Sequence, residues 1–337
     1  MKCIVCEQPN QFKMVEVPLP SVQEGEALVR IRRVGVCGTD LHAYKGNQPF
    51  FSYPRILGHE LAGIIDLIGQ NDFGLQKGDQ VSIIPYLECG KCVACRKGKM
   101  NCCVNLKVLG VHIDGGMQEY ISIHPSHLVK TNGLSLDQSA MLEPLSIGAH
   151  AVRRAGSIKG EVILVIGAGP IGLGVMAFAK QRGAIVVAMD VNEERLKFCH
   201  RWAKVDYTLN ALDDPIKNLS DITNGDLPTV VFDATGNVES MCNSFKYVAH
   251  GGKLIYVGLV KADITFSDPY FHSKELTLMG SRNATREDFD YVMSAVKTGK
   301  LDIESYISHR SSFDEMIERF KEWIDPESKM IKAIVEL

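Results

Sequence analysis

The sequence predicts an α/β protein of two parts, a β-rich domain and a doubly wound parallel-sheet domain. Three observations predict it. β-Branched runs closed by glycine dominate the chain up to about residue 147. From Gly160 onward, short apolar runs alternate with helical patterns. A G-x-G-x-x-G turn stands where the first of those runs meets the first of those helices. Strand–helix alternation gives βαβ units and a parallel sheet with helices on both faces. At 337 residues the chain is too long for one ordinary core.

In order, "ALVRIRRVGV", "LAGIIDLIG" and "QVSIIPY" read as strands, the last following the turn "QKGD". "EVILVIGAG" reads as a buried strand. "PIGLGVMAFAKQRG" reads as a helix with proline in its first turn and glycine after its end. "AIVVAMD" is the next strand, and "NEERLKFCHRWA" a helix with an Asn cap. "TVVFDATG" and "GKLIYVG" are later strands, separated by a helix over "NVESMCNSFKYVAH". After about Met279 the alternation stops, leaving the amphipathic stretches "REDFDYVMSAVKTG" and "FDEMIERFKEWI". The expected divisions are 1–147, 148–280 and 281–337, with a cysteine-rich lobe at 87–105.

Net charge is −3, and no long run carries one sign, so the chain lacks the basic stripe of a nucleic-acid binder. No apolar run reaches the length of a membrane span. The N-terminus turns polar too early for a signal peptide. The expected compartment is the cytosol, where thiols stay reduced and spaced cysteines signal metal or catalysis rather than disulfides.

Gly167, Gly169 and Gly172 form the glycine motif, after a strand and opening a helix, with Asp190 at the end of the next strand. That context marks a dinucleotide site. Gly167 permits the tight turn, Gly169 lets the backbone approach a pyrophosphate, and Gly172 lets helix and strand pack closely. The pyrophosphate sits on the helix N-terminus, where free N–H groups favour an anion. Asp190 accepts from the adenosine ribose hydroxyls and repels a 2′-phosphate, which predicts NAD over NADP. Arg195 either supports a phosphate or lies over the adenine. Pro170, Ile171, Thr235, Gly258 and Arg282 complete the expected cofactor set.

Cys89, Cys92, Cys95 and Cys103 have the spacing C-x2-C-x2-C-x7-C. Four thiolates on a tight loop suit a closed tetrahedral zinc that stabilises and does not catalyse; an iron–sulfur cluster is the rival occupant. Of the neighbours Cys102 and Cys103, one is spare. Cys3 and Cys6 fall in a first strand on opposite faces and read as buried thiols; Cys199 and Cys242 read as core. A second, mixed set of donors comes from "GVCGTDLH", "LGHELAG" and "MLEPLSIGAH": Cys37, His59, Glu60 and Glu143. Three protein ligands with one vacancy are catalytic in style. Zinc at such a site lowers the pKa of a bound hydroxyl, and the alkoxide form expels hydride readily to a nicotinamide.

These motifs resemble the zinc-dependent medium-chain dehydrogenases, the alcohol and polyol dehydrogenase family, and the resemblance covers essentially the whole chain. It implies a GroES-like catalytic domain split into 1–147 and 281–337 around a Rossmann nucleotide domain at 148–280. It implies two zincs per subunit, NAD, a small-molecule substrate and a homo-oligomer, dimer or tetramer. Cys37, His59 and a carboxylate, either Glu60 or Glu143, would hold the catalytic zinc. Thr39 matches the hydroxyl that takes the substrate's proton, His42 the distal end of the proton relay, and Asp40 the partner that orients a ligand histidine. Glutamate at 143 resembles the polyol, threonine and sugar-acid branch. The stretches "CGTDLHAYKGNQPFFSYPRILGHE", "VLGVHIDGGMQEY" and "GSRNATREDF" narrow the likeness to members that oxidise a six-carbon sugar acid. A carboxylate substrate calls for a basic clamp. Arg282, Arg55, Lys45 and His112 are the candidates, with Tyr44, Asn47 and Gln48 for hydroxyls. The rival readings are a polyol, polyol-phosphate or threonine dehydrogenase and a nucleotide-binding scaffold without catalysis.

Overall fold

The computed structural model describes residues 1–48 and 51–337. The chain divides into two compact units, Met1–Glu143 with Thr285–Leu337, and Pro144–Ala284. Among the described residues no helix is long and apolar enough to cross a membrane.

The first unit is built on a mostly antiparallel sheet. Its strands run Leu128–Lys130, Gln80–Ile83, Glu60–Ile68, Ala27–Val36, Ala333–Glu336 and His309–Ser312, and Tyr120–Ile123 also pairs with Ala27–Val36. The chain's last strand thus lies against one of its first, with Ile334 opposite Gly35. The sheet's apolar positions, among them Val29, Ile31, Val34, Leu61, Ile65 and Val335, are almost wholly buried. The Met316–Trp323 helix adds Met316, Phe320 and Trp323, spaced to share one face.

The second unit holds six parallel strands in the order Tyr207–Asn210, Ile185–Asp190, Val162–Ile166, Val230–Asp233, Lys253–Tyr256 and Thr277–Gly280. Numbered along the chain this is 3-2-1-4-5-6, the doubly wound order. It reverses between Val162–Ile166 and Val230–Asp233, and ligands of such sheets bind at the carboxyl ends beside that reversal. The central strands Val162–Ile166, Ile185–Asp190 and Val230–Asp233 are apolar runs buried along most of their length, as helix-covered parallel strands must be, while the edge strands Tyr207–Asn210 and Thr277–Gly280 are largely exposed.

Two readings need correction. The run "NVESMCNSFKYVAH" is not one α-helix: it is α-helical over Val238–Asn243 and tightens to a 3₁₀ turn over Ser244–Tyr247. The Ser244 hydroxyl donates back to the Met241 carbonyl at 2.7 Å, the kind of local bond that competes with helix continuation. Cys242, on that short helix, is only partly buried, whereas Cys199, Cys3 and Cys6 are fully buried.

Candidate active site

Cys37 follows the Ala27–Val36 strand and caps the Gly38–Tyr44 helix in extended conformation. His59 directly precedes the neighbouring Glu60–Ile68 strand, on which Glu60 pairs with Gly35. The buried Asp40 ties these two turns together. Its carboxylate accepts the Cys37 N–H at 2.9 Å and the Gly58 N–H at 3.2 Å. His59 Nδ1 is 3.8 Å from Asp40 Oδ1, and this buried nitrogen has no hydrogen-bond partner. Donor atoms of Cys37, His59 and Glu60 all lie within 4.8 Å of one another.

A thiolate, an imidazole and a carboxylate so gathered fit zinc. The electrostatics agree. Burial pulls the His59 pKa down, but Cys37 and Asp40 outweigh it and hold the imidazole well above its ordinary value. The pocket therefore favours positive charge at its centre.

The carboxylates divide in a way the sequence left open. Glu60 stands in the close trio; Glu143, in the first turn of the Leu142–Ala155 helix, is not one of its members. Glu143 accepts a short hydrogen bond from the Tyr86 hydroxyl. Burial, with Glu60 adding to it, pushes Glu143 up to about 7 against the pull of His59, Tyr86 and Lys332. Glu60 is bonded through both oxygens to the Lys332 ammonium, at 2.6 and 2.8 Å. Sequence reasoning missed Lys332 and Tyr86. Lys332 is 272 residues from Glu60, and nothing in "KMIKAIVEL" sets it apart from a surface lysine.

Thr39 is half-buried and His42 exposed, two and five residues after Cys37 on the helix that Cys37 caps. Several substrate-binding candidates are already engaged elsewhere. The Tyr44 side chain is buried in the core and its hydroxyl donates to the Asn10 carbonyl at 2.9 Å, so it does not present that group to a substrate. Arg55 pairs with Asp114 at 3.3 Å, Lys45 donates to the Ile324 carbonyl at 3.3 Å, and His112 Nδ1 accepts the Val108 N–H. Asn47 and Arg282 are exposed. Pro49 and Phe50, inside the quoted "GNQPFFSYP", lie outside the described residues.

In the lobe, Cys89, Cys92, Cys95 and Cys103 bring their sulfurs within 4.8 Å of one another, and Cys102, the spare, is exposed. The N–H groups of Cys89 and Asn105 point at Cys103 Sγ, at 3.3 and 3.4 Å. Backbone N–H groups of Cys95 and Val104 pull the Cys92 thiol down to about 6. Donors aimed at sulfur prepare thiolates for a metal.

In the second unit Gly167 takes φ +97°, the left-handed turn only glycine makes freely. A Cβ at Gly172 would stand 1.8 Å from the Gly167 carbonyl oxygen, whereas a Cβ at Gly169 would meet nothing within 4 Å. Gly169 caps the Pro170–Gln181 helix, so Pro170 and Ile171 form its first turn. Gly172 is demanded by the protein's own packing; Gly169 leaves room for a ligand at a helix N-terminus. Asp190 accepts the Ala168 N–H at 2.6 Å and the Asn192 N–H at 2.9 Å, which fixes it beside the turn. Arg195 is exposed on the next helix. The Thr235 hydroxyl donates to buried Asp233 at 2.7 Å, and a Cβ at Gly258 would lie 2.5 Å from the Gly236 nitrogen. Both positions are thus fixed at the strand ends beside the reversal.

This fold and these donors define a metal-dependent dehydrogenase. Residues 23–133 match the alcohol dehydrogenase GroES-like domain and residues 170–298 match the zinc-binding dehydrogenase domain. The chain belongs to the zinc-type alcohol dehydrogenase family and is an oxidoreductase. It is 42% identical to L-galactonate-5-dehydrogenase of Escherichia coli K12, over 99% of this chain and 98% of that one. It is 38% identical to an uncharacterized zinc-type alcohol dehydrogenase-like protein of Haemophilus influenzae, over 94% and 93% of the two chains. A solved alcohol dehydrogenase from E. coli CFT073, RspB in complex with NADH, superposes with a TM-score of 0.92 at 28% identity, covering 100% of this chain and 99% of that one.

Proposed function

We propose that the chain oxidises a secondary alcohol of a six-carbon sugar acid, L-galactonate at C5, to the ketone tagaturonate, with NAD as hydride acceptor. The observation that carries the chemistry is the trio of partly buried Cys37 with buried His59 and Glu60, its donors within 4.8 Å. The substrate is supported by the 42% identity to L-galactonate-5-dehydrogenase and by the three stretches that narrow the sequence resemblance.

Cys37, His59 and Glu60 would hold the ion, with Glu143 the further carboxylate that interacts with His59 and Glu60. Zinc so held is a Lewis acid that makes a substrate hydroxyl more acidic. Asp40 fixes the turns that carry Cys37 and His59. Thr39 receives the hydroxyl proton, and exposed His42 hands it to solvent. The carbinol C–H bond breaks with its electron pair leaving as hydride while the C=O bond forms, and NAD, when bound, would supply the two-electron acceptor. Asp190 selects NAD, because a 2′-phosphate beside a fixed carboxylate is repelled. Cys89, Cys92, Cys95 and Cys103 hold a second zinc with no open position, which braces the lobe. A bare nucleotide-binding scaffold has no use for the trio.

The test is a panel of L-galactonate, hexitols, a hexitol phosphate and L-threonine, each with NAD and NADP, followed at the nicotinamide absorbance. L-Galactonate with NAD is expected to give the highest kcat/KM. A polyol or threonine outpacing it, or a preference for NADP, contradicts the proposal.

A further inference from the structure

Lys332 and Glu60 form a buried ion pair, with side chains 2% and 0% exposed. The pair bridges strands that are not neighbours. Glu60 lies opposite Gly35 on one side of the Ala27–Val36 strand, and Lys332 stands just before Ala333, which pairs with Val36 on the other side. Strands two apart are separated by roughly 10 Å, so the two side chains meet over the middle one. They can because residue 35 has no side chain. A Cβ there would fall 2.1 Å from Glu60 Oε2 and 2.8 Å from Glu60 Cβ. Lys332 is further anchored by donating to the Val36 carbonyl at 3.1 Å. Both oxygens of Glu60 accept from this one ammonium, and the same carboxylate belongs to the Cys37–His59–Glu60 trio.

We propose that Lys332 is a positioning residue that serves as the resident counter-charge of Glu60, holding the carboxylate over Gly35 in the metal-free chain and competing with the metal for it. The inference rests on the reading of the trio as a metal site. Its physics is that of a buried pair. Removing one partner strands the other charge in a medium that cannot solvate it. An ammonium close to a divalent cation also opposes that cation's binding. Lys332 therefore keeps the empty site folded and sets its metal affinity below what the three donors alone would give.

The test uses full-length wild type, Lys332→Met, Lys332→Arg, Glu60→Gln and the Lys332→Met/Glu60→Gln double variant. Each is stripped with chelator and titrated with Co²⁺, reading the absorption band that Cys37→Ser abolishes; melting is recorded with and without Co²⁺. Lys332→Met is expected to bind Co²⁺ about tenfold or more tightly than wild type. It is expected to melt lower when metal-free and to regain most of the loss on Co²⁺. Lys332→Arg stays near wild type, and in the Glu60→Gln background Lys332→Met no longer lowers the metal-free melting temperature but holds or raises it, because it removes an ammonium left without its partner. Should the Met variant not fold, Lys332→Gln is titrated in its place with the same expectation. Unchanged or weaker Co²⁺ binding in the neutral variant, or the same loss of metal-free melting temperature in the Glu60→Gln background, overturns the proposal. A wild type with no Cys37-dependent band overturns the metal reading itself, a separate result.

Discussion

Two glycines five and two residues from Gly167 show how far a single residue can be read. Gly172 is required from within: a methyl there collides with the Gly167 carbonyl, so the Pro170–Gln181 helix would have to retreat from its strand. Gly169 has open space where its side chain would be. Gly172→Ala should therefore lower the melting temperature and weaken NADH binding together. Gly169→Ala should leave melting nearly unchanged while weakening NADH by roughly tenfold, about the worth of one well-made contact. Melting curves and fluorescence titration of the two variants check this, and equal melting losses would contradict it. The motif read Gly169 for ligand approach and Gly172 for packing, and the three-dimensional neighbours supply the physical ground for that division. Cys103 over Cys102 is a similar case. Two adjacent cysteines are indistinguishable by spacing, and the fold buries one and exposes the other.

At the scale of elements, side chains that join strands decide how firmly the first unit's sheet is stitched. Asp79, at the turn before the Gln80–Ile83 strand, is buried and accepts from the Lys130 ammonium at 2.8 Å, the Asn132 amide at 2.9 Å and the Gln76 N–H at 2.9 Å. Burial alone would raise its pKa, but these donors, Lys130 foremost, lower it below the ordinary carboxyl value. A carboxyl whose folded pKa is depressed contributes stability that is whole above its unfolded value, about 4, and is lost as pH falls through the folded one. Asp79→Asn should thus cost roughly 1–3 kcal/mol at pH 7. That difference should shrink on acidification below about pH 4, as denaturant melts at the two pH values would show. Most elements were legible because their apolar periods and caps are local: Asn192 does accept the Arg195 N–H at the helix start read from "NEERLKF". The helix after Asn237 was misread because its end is set by Ser244 folding back on Met241, a contact the periodicity does not encode.

For the whole molecule, the doubly wound order and the glycine turn could be reached from the sequence, because strand, turn and helix are contiguous there. The closing of the first unit could not be read from patterning. His309–Ser312 and Ala333–Glu336 join a sheet begun three hundred residues earlier, and with them comes Lys332. Cys37 and His59 were visible as types, in short motifs near each other in the chain. The family resemblance already set Asp40 beside a ligand histidine; its bonds to both turns, the separation of Glu60 from Glu143 and the ammonium opposite Glu60 are products of topology. The proposed metal centre of Cys37, His59 and Glu60 is distinct from the four-cysteine lobe. The most direct measurement is zinc per chain in purified wild type and in Cys37→Ser, with NAD reduction followed on the same samples. Two zincs should fall to one, with activity abolished and the melting temperature largely kept. Equal zinc content in the two proteins, or turnover surviving the substitution, would contradict it.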